Sequence, residues 1–317
     1  MHICVLALDD VFDTGLSVVL DTFETASGLA TRPELRTQVT LAGVRRRVKT
    51  HQGFQVPLAP LPRVRPDVVL VPALGAKTPE ALDATLARGD VGEVGEVLRA
   101  WAAAGAQVAA ACTATFVLGE AGILDRRHAT TTWWLAPYFR QRFPLVKLDD
   151  AQMIVDSRGV VTAGTAMAHL DLALWLVRRQ SPSLARTVAR HLVYDARPSQ
   201  AAYVMPDHLA HADPLVERFE QWARRHLADF SLPAAARGVG ASERTLERRL
   251  RAVLGRSPLS FVRDLRVERA VHRLQTTQDS IDEIAAAVGY EDGVTLRTLL
   301  RKKTGRGLRE LRALGNP

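Results

Sequence analysis

The pattern of apolar residues changes character once along this chain, and the change limits what it can fold into. From His2 to about residue 190, short apolar runs of strand type alternate with stretches of helical spacing; from Pro214 onward no strand candidate is left. Residues 2–8 read HICVLAL and stop at Asp9 and Asp10. Residues 68–72 are closed by Pro72 and Gly75, Gln107–Ala111 follows Gly105, and Val160–Ala163 comes later. Between these runs, 14–29, 91–104 and Ala168–Gln180 repeat apolar residues every three or four positions, with Leu170, Leu174 and Val177 on one side of the last. Strands apolar on both faces and separated by helices predict a doubly wound, largely parallel α/β sheet covered on both sides. An all-α unit follows it. The polar stretch between them, 195–213, holds Pro198 and Pro206 among Ser, Asp and His and reads as a linker. The 317 residues are thus expected to form two domains, 1–194 and 214–317, each long enough to bury a core.

Within the all-α region a single pattern occurs twice. Residues 232–239 form a short helix, Gly240 and Ala241 turn the chain, and Ser242 caps a helix over 242–253 with Glu243 in its first turn. Leu246, Leu250 and Val253 face inward on it; Arg244, Thr245, Arg248, Arg249 and Arg251 face outward. Further on, Ile281–Val288 is a short helix stopped by Gly289, and 293–303 is a second basic helix with Thr295, Arg297, Arg301, Lys302 and Lys303. Residues 257–275 connect the two patterns as one helix, Pro258 standing in its first turn where proline is tolerated. About 16 residues of helix reach roughly 24 Å, which suits two helices lying in grooves one turn, about 34 Å, apart.

A helix, a tight glycine turn and a basic second helix is the geometry that enters a major groove. The formal net charge is +8, and residues 237–273 hold ten arginines against four acidic residues. A solvated face mixes signs more evenly than that. The arginine fork matches phosphates and guanine edges, although a GC-rich genome also enriches arginine. Arg244, Thr245 and Arg248 are the base-reading candidates of the first unit, with Arg249 and Arg251 placed to touch phosphate. Arg297 is the base-reading candidate of the second, beside Arg301; Lys302 and Lys303 suit phosphate or solvent.

Two cysteines, Cys4 and Cys112, are too few for a disulfide framework, and no Cys/His spacing suits zinc. No metal or other cofactor is expected. The N-terminus is not a signal peptide, and the longest apolar run, 108–118, is too short to span a bilayer. The expected location is cytoplasmic, associated with the nucleoid. Cys112 stands between a strand and a helix, a turn that offers a side chain to a cleft beside helix amides, which lower a thiol pKa. It reads as a small buried residue, a ligand-pocket wall or redox-sensitive contact, or a nucleophile. Cys4 reads as core. Thr132, Trp133 and Trp134 are expected near the same cleft, the Trp pair as core or as an aromatic lid for a small amine or amide. His169 reads as a helix cap or a pocket contact.

The stretches LPAAARGVGASERTLERRLRAVLGRSP, RDLRVERAVHRL, IDEIAAAVGYED and RKKTG resemble the AraC/XylS DNA-binding domain over about residues 214–314. The family usually has an aromatic at the position of Leu296 and a proline at Gly307 and Leu308. ACTATFVLGEAGILDRRHATTTWW, YFRQRFP and VDSRGVVTAGTAMAHLDLALWLVRR resemble, over about 1–190, the ThiJ/PfpI-like, flavodoxin-type domain of GlxA-type AraC regulators. The resemblance implies a DNA-binding transcription regulator, more often an activator. Its implied partners are promoter DNA, RNA polymerase, a small-molecule effector bound by the N-terminal domain, and a second copy of the chain. Enzymes of this fold pair the cysteine with an acid from the first strand–helix loop, where Asp13 stands, and often with a histidine. Here that histidine is absent: Thr132 follows the two threonines, and His128 lies four residues before it. A cysteine-dependent amidase, hydrolase or glyoxalase tethered to DNA is therefore the rival expectation, and lacks a proton carrier.

Overall fold

The computed structural model describes residues 1–195, 199–200 and 213–313. The chain divides into two compact units, residues 1–200 and 201–317. Most of the stretch read as a linker lies outside the described residues. Ser199 and Gln200, however, belong to the first unit: the Gln200 amide and the Ser199 hydroxyl both donate to the Ala151 carbonyl, at 3.0 and 2.6 Å.

In chain order the first unit runs β1 (His2–Leu6), α1 (Asp13–Leu29), β2 (Gln38–Ala42), β3 (Arg47–Lys49), β4 (Gln55–Pro57), β5 (Val68–Val71), α2 (Pro79–Leu86) and α3 (Gly89–Ala103). It continues with β6 (Gln107–Ala111), α4 (Ala114–Glu120), β7 (His128–Ala129), α5 (Ala136–Arg142), β8 (Lys147–Leu148), β9 (Ile154–Ser157), β10 (Val160–Ala163), α6 (Ala168–Gln180) and α7 (Pro182–His191). Six strands make one sheet in the order β2-β1-β5-β6-β10-β9, parallel except for β9. Because strand side chains alternate faces, Ile3, Val5, Val68 and Leu70 join α1, α6 and α7 in one buried layer. Leu6, Val69, Val71 and Val108 join α2, α3, α4 and α5 in the other. The doubly wound parallel sheet is thus the observed fold. Its two edge strands escape the sequence pattern: β2 is only partly buried and carries Gln38 and Thr40, and β9 is an antiparallel edge with Asp156 exposed.

The second unit is helical: α8 (Pro214–Arg225), α9 (Leu232–Gly238), α10 (Glu243–Leu254), α11 (Pro258–Thr276), α12 (Ile281–Val288), α13 (Gly293–Thr304) and α14 (Leu308–Ala313). Each long start is capped by a side chain, from Asp213, Ser231, Ser242, Ser257, Ser280 and Asp292 in turn. Inward on α10 are Leu246, Leu250 and Leu254; Val253, expected there, is only half-buried, because a fourth-residue step from Leu250 stays on the same stripe. Phe261 near the start of α11 packs on Phe219 of α8, ring centres 5.8 Å apart. Ala270 and Leu274 near its end join Ile284, Val288, Leu296, Leu300 and Leu311 in a second core. Leu296 fills the place of the family's aromatic without leaving it exposed. The 19-residue α11, about 28 Å long, is therefore shared by two small cores. Gly238 lets α8 and α9 approach, since a Cβ there would come within 2.3 Å of the Trp222 ring. Among the described residues, no helix is long and apolar enough to cross a membrane.

Candidate nucleic-acid interface and thiol site

The basic residues of the helical unit fall into two groups. Some hold the scaffold. Arg266 donates from two nitrogens to the Leu227 carbonyl, at 2.9 and 2.7 Å, and lies over the Tyr290 ring. Asp264 receives Arg256 at 2.8 Å and Lys303 at 2.7 Å, and Arg273 bonds Asp279. Arg249 pairs with Asp213, the buried residue that caps α8, and so pins α10 to the start of that helix. Arg249, expected to touch phosphate, and Lys303, expected at phosphate or solvent, are thus engaged inside the unit, with partners 36 and 39 positions away in sequence that no local pattern reveals.

The second group stands outward. Arg244, Arg248 and Arg251 on α10, and Arg297, Arg301 and Lys302 on α13, are exposed and, among the described residues, make no ion pair. Their helices are presented by tight turns with left-handed glycines, Gly240 at φ 70° before α10 and Gly289 at φ 85° before α13. Ser242 and Thr245 are tied together: the Ser242 oxygen accepts the Thr245 amide at 3.1 Å, and the two hydroxyls meet at 2.8 Å. Asp292 does the same for Thr295, at 2.7 and 3.0 Å. Both threonines are held by caps, which fixes their helices' first turns. Six cations on two rigid, water-facing helices attract phosphate and can donate to guanine edges.

In the first unit, Cys112 occupies the turn between β6 and α4 with φ 57°, a left-handed conformation rare for a side-chain-bearing residue. The turn is clamped. The Cys112 amide donates to Ala163 at 2.9 Å, and the Cys112 carbonyl accepts the Thr131 hydroxyl at 2.8 Å. The Thr113 hydroxyl accepts from the Leu74 amide and donates to its carbonyl, at 2.8 and 2.7 Å. The thiol is buried, and burial pushes its pKa up to about 11 against the weaker opposing pull of the Thr113 amide and the Thr132 and Thr113 hydroxyls. This reverses the expected lowering by helix amides: α4 has seven residues, and desolvation outweighs its amides. Burial likewise takes Cys4 to about 12, as befits a core residue.

Thr132 lies beside the thiol, and its buried hydroxyl makes no hydrogen bond of proper geometry. Trp133 is buried and meets Trp134 edge-on at 5.5 Å. Asp13 starts α1; one carboxylate oxygen accepts the Gln52 amide at 3.0 Å, and among the described residues the other is buried without a partner and no hydrogen bond joins Asp13 to Cys112. His128 is exposed on β7. His169 is internal: its Nε2 accepts the Ala73 amide at 3.0 Å and its Nδ1 donates to Ala166 at 2.5 Å. Burial lowers its pKa to about 4, so it is neutral and joins the end of β5 to α6. Its closeness explains Gly15, where a Cβ would come within 2.7 Å of the ring.

Sequence reading missed Gln200. Its fully buried amide donates to the Thr130 hydroxyl at 3.2 Å and the Thr131 carbonyl at 2.9 Å, while its Oε1 finds no partner among the described residues. Gly164 makes room, since a Cβ there would lie 2.4 Å from that oxygen. A lone glutamine in a polar stretch carries no signal of this; only the glycine ending β10 hints at a close approach. The residues around Cys112 are closed to solvent. An open groove of about 850 Å³ lies instead beside the Arg45–Glu93 pair, over Leu58, Leu61 and Val97.

Comparison with known proteins fits both units. Residues 1–179 match the DJ-1/PfpI family and residues 235–313 a helix-turn-helix domain. The chain is 31% identical over 202 residues to the HTH-type transcriptional regulator GlxA of Rhizobium meliloti, covering 61% of each chain. It is 28% identical over 184 residues to the HTH-type transcriptional regulator CdhR of Pseudomonas aeruginosa, covering 56% of this chain and 54% of that one. The matches thus span little more than half the length of these two regulators. In fold, an AraC family transcriptional regulator from Pseudomonas putida superposes with a TM-score of 0.51 at 22% identity, over 60% of this chain and 98% of that structure. By its first 179 residues, more than half its length, the chain belongs to the DJ-1/PfpI family, and it joins that domain to a C-terminal helix-turn-helix domain.

Proposed function

We propose that the chain is a sequence-specific transcription regulator, an activator that binds promoter DNA through α10 and α13, engages RNA polymerase and responds to a small metabolite held in its DJ-1/PfpI unit. The observation that carries this reading is the pair of outward basic faces, Arg244–Arg248–Arg251 and Arg297–Arg301–Lys302, on capped helices joined by one rod. Being named regulators of transcription, GlxA and CdhR support it. The decisive experiment is duplex binding by the full chain and by Arg248→Ala. A base contact predicts a loss of about 1–3 kcal/mol on the preferred site and relaxed specificity there. Equal weakening on every sequence reduces Arg248 to a phosphate contact, and no preferred site at all ends the proposal.

Effector and partner follow from the thiol site. Three buried oxygens, on Thr132, Gln200 and Asp13, lack hydrogen-bond partners among the described residues, which suits a ligand offering donors. Gln200 is the last residue of the first unit, so a ligand that competes for Thr130 and Thr131 would release it; the unit is also the proposed homodimer contact. Gln200→Ala is expected to leave DNA affinity without effector unchanged within twofold and to lower the effector response at least severalfold. An unchanged response refutes this route. The left-handed Cys112 turn favours a second reading, a cysteine hydrolase, but the raised thiol pKa and the absence of a bonded base among the described residues count against it.

A further inference from the structure

The two helix-turn-helix units are internal copies, and their outward residues differ. Ser242 and Asp292 cap α10 and α13, Leu246 and Leu250 are buried like Leu296 and Leu300, and Gly255 and Gly305 end the helices at φ 66° and 72°. Every landmark is offset by 50 residues. The same offset sets Arg244 against Val294, Glu247 against Arg297, Arg248 against Thr298 and Arg251 against Arg301. The cations of the two helices are therefore not equivalent. Only the last pair keeps its arginine. Where the first helix offers two guanidinium forks, the second offers a valine that is 69% exposed and a threonine whose hydroxyl already donates to the Val294 carbonyl at 3.0 Å.

Positions two and six of these helices, counted from the cap, lie one turn apart on one face, in the N-terminal half that meets base edges when such a helix enters a groove. Isolated exposed apolar side chains are common. This one occupies the position where its own repeat carries a reading residue. A valine there cannot donate to guanine; the major-groove feature it complements is the 5-methyl group of thymine. Thr298, its hydroxyl hydrogen held by the backbone, keeps its methyl and an acceptor lone pair. We propose that Val294 makes the two half-sites chemically unlike: α10 reads guanine through Arg244 and Arg248, while α13 reads thymine methyl groups through Val294 and Thr298, with Arg297 and Arg301 serving neighbouring guanine or phosphate. This rests on α10 and α13 being the helices that enter the grooves.

The test selects duplexes from a random pool with the full chain, then replaces each thymine of the enriched site by deoxyuridine, which removes only the methyl group. At one half-site, wild type should lose about fourfold in affinity per methyl, the value of one buried carbon. Val294→Ala, at an exposed position and with unchanged thermal stability, should bind more weakly and no longer respond to that replacement. Arg244→Ala should weaken guanine preference at the other half-site and keep the methyl response. Val294→Arg should move the preferred base from thymine toward guanine. A site enriched but indifferent to deoxyuridine, or a methyl response that survives Val294→Ala, overturns the assignment of Val294 alone. No enriched site overturns it together with the regulatory reading.

Discussion

The two candidate sites hold their polar groups in opposite ways. Around Cys112 the polar groups are buried and most are bonded internally, Thr132 excepted: Thr113 bonds Leu74 twice, Thr131 bonds Cys112, and His169 spans Ala73 and Ala166. On α10 and α13 the outward cations are in water and, among the described residues, make no ion pair. A site for a small molecule must exclude solvent and fix its ligand, so its machinery looks like core. A site for a polyanion gains by displaced counterions and keeps its charges ready at the surface. The contrast says that burial, not residue type, separates the two candidate sites. The same arginine chemistry appears as scaffold in Arg249 and as an exposed, unpaired cation of the candidate interface in Arg251, two positions apart.

The largest expected effect tests the buried side. With thiol pKa values near 11 and 12 against an ordinary 9.0, the thiolate fractions of Cys112 and Cys4 near pH 8 fall roughly 100-fold and 1000-fold. Alkylation of the native chain, followed by mass spectrometry, should be slower than that of the unfolded chain by at least those factors. Fast labelling of Cys112 at neutral pH would mean an ionised thiol and would favour the cysteine-hydrolase reading of the first unit.

The next effect sharpens the line between scaffold and interface. Arg249→Ala leaves the buried Asp213 carboxylate without its partner, and because Arg249 is half exposed the expected loss of stability is about 1–3 kcal/mol in urea unfolding. Arg251→Ala should change stability by less than about 0.5 kcal/mol and instead lower the salt dependence of duplex binding by about one counterion. Reversed results would mean that exposure in the free chain does not identify the interface.

How much of this the sequence discloses follows the same line. β5, β6, β10, α6 and α12 are legible to within a residue because their apolar runs are long enough or regular enough to declare a buried face. The edge strands β2 and β9 are not, since an edge needs no continuous apolar run. The outward arginines of α10 and α13 are visible as an excess of one sign. Which of them are already neutralised is not: Asp213 meets Arg249, and Asp264 meets Lys303, only through the folded chain. At the thiol, sequence supplies the strand-to-helix turn and so the position of Cys112, but the direction of its pKa depends on how closely Thr113, Thr132 and the sheet exclude water. Gln200 is the furthest from view, because a polar residue in a polar stretch gives no reason to expect full burial.

The smallest effect bears on a second buried carboxylate of the helical unit, one less fully paired than Asp213. Glu220 on α8 is buried, and desolvation first, then the repulsion of Glu268 and Glu217, raises its pKa from 4.5 to about 7. Arg224 reaches it at 2.9 Å, but a third of that side chain is in water and it also faces Glu268 at 3.4 Å, so it offsets only some of the cost. Below pH 4.5 both folded and unfolded chains carry the proton and nothing is lost. Between 4.5 and 7 the folded chain retains a proton that the unfolded chain has released, so stability falls as pH rises, and above 7 the loss is complete. Glu220→Gln holds the same volume with no charge to desolvate. It should match the wild type below pH 4.5 and exceed it by about 2 kcal/mol at pH 8, read as a higher urea midpoint of the second unit. If the variant is instead less stable at pH 8, the Arg224 contact outweighs desolvation, and buried charge in this unit is held as firmly as the polar network around Cys112.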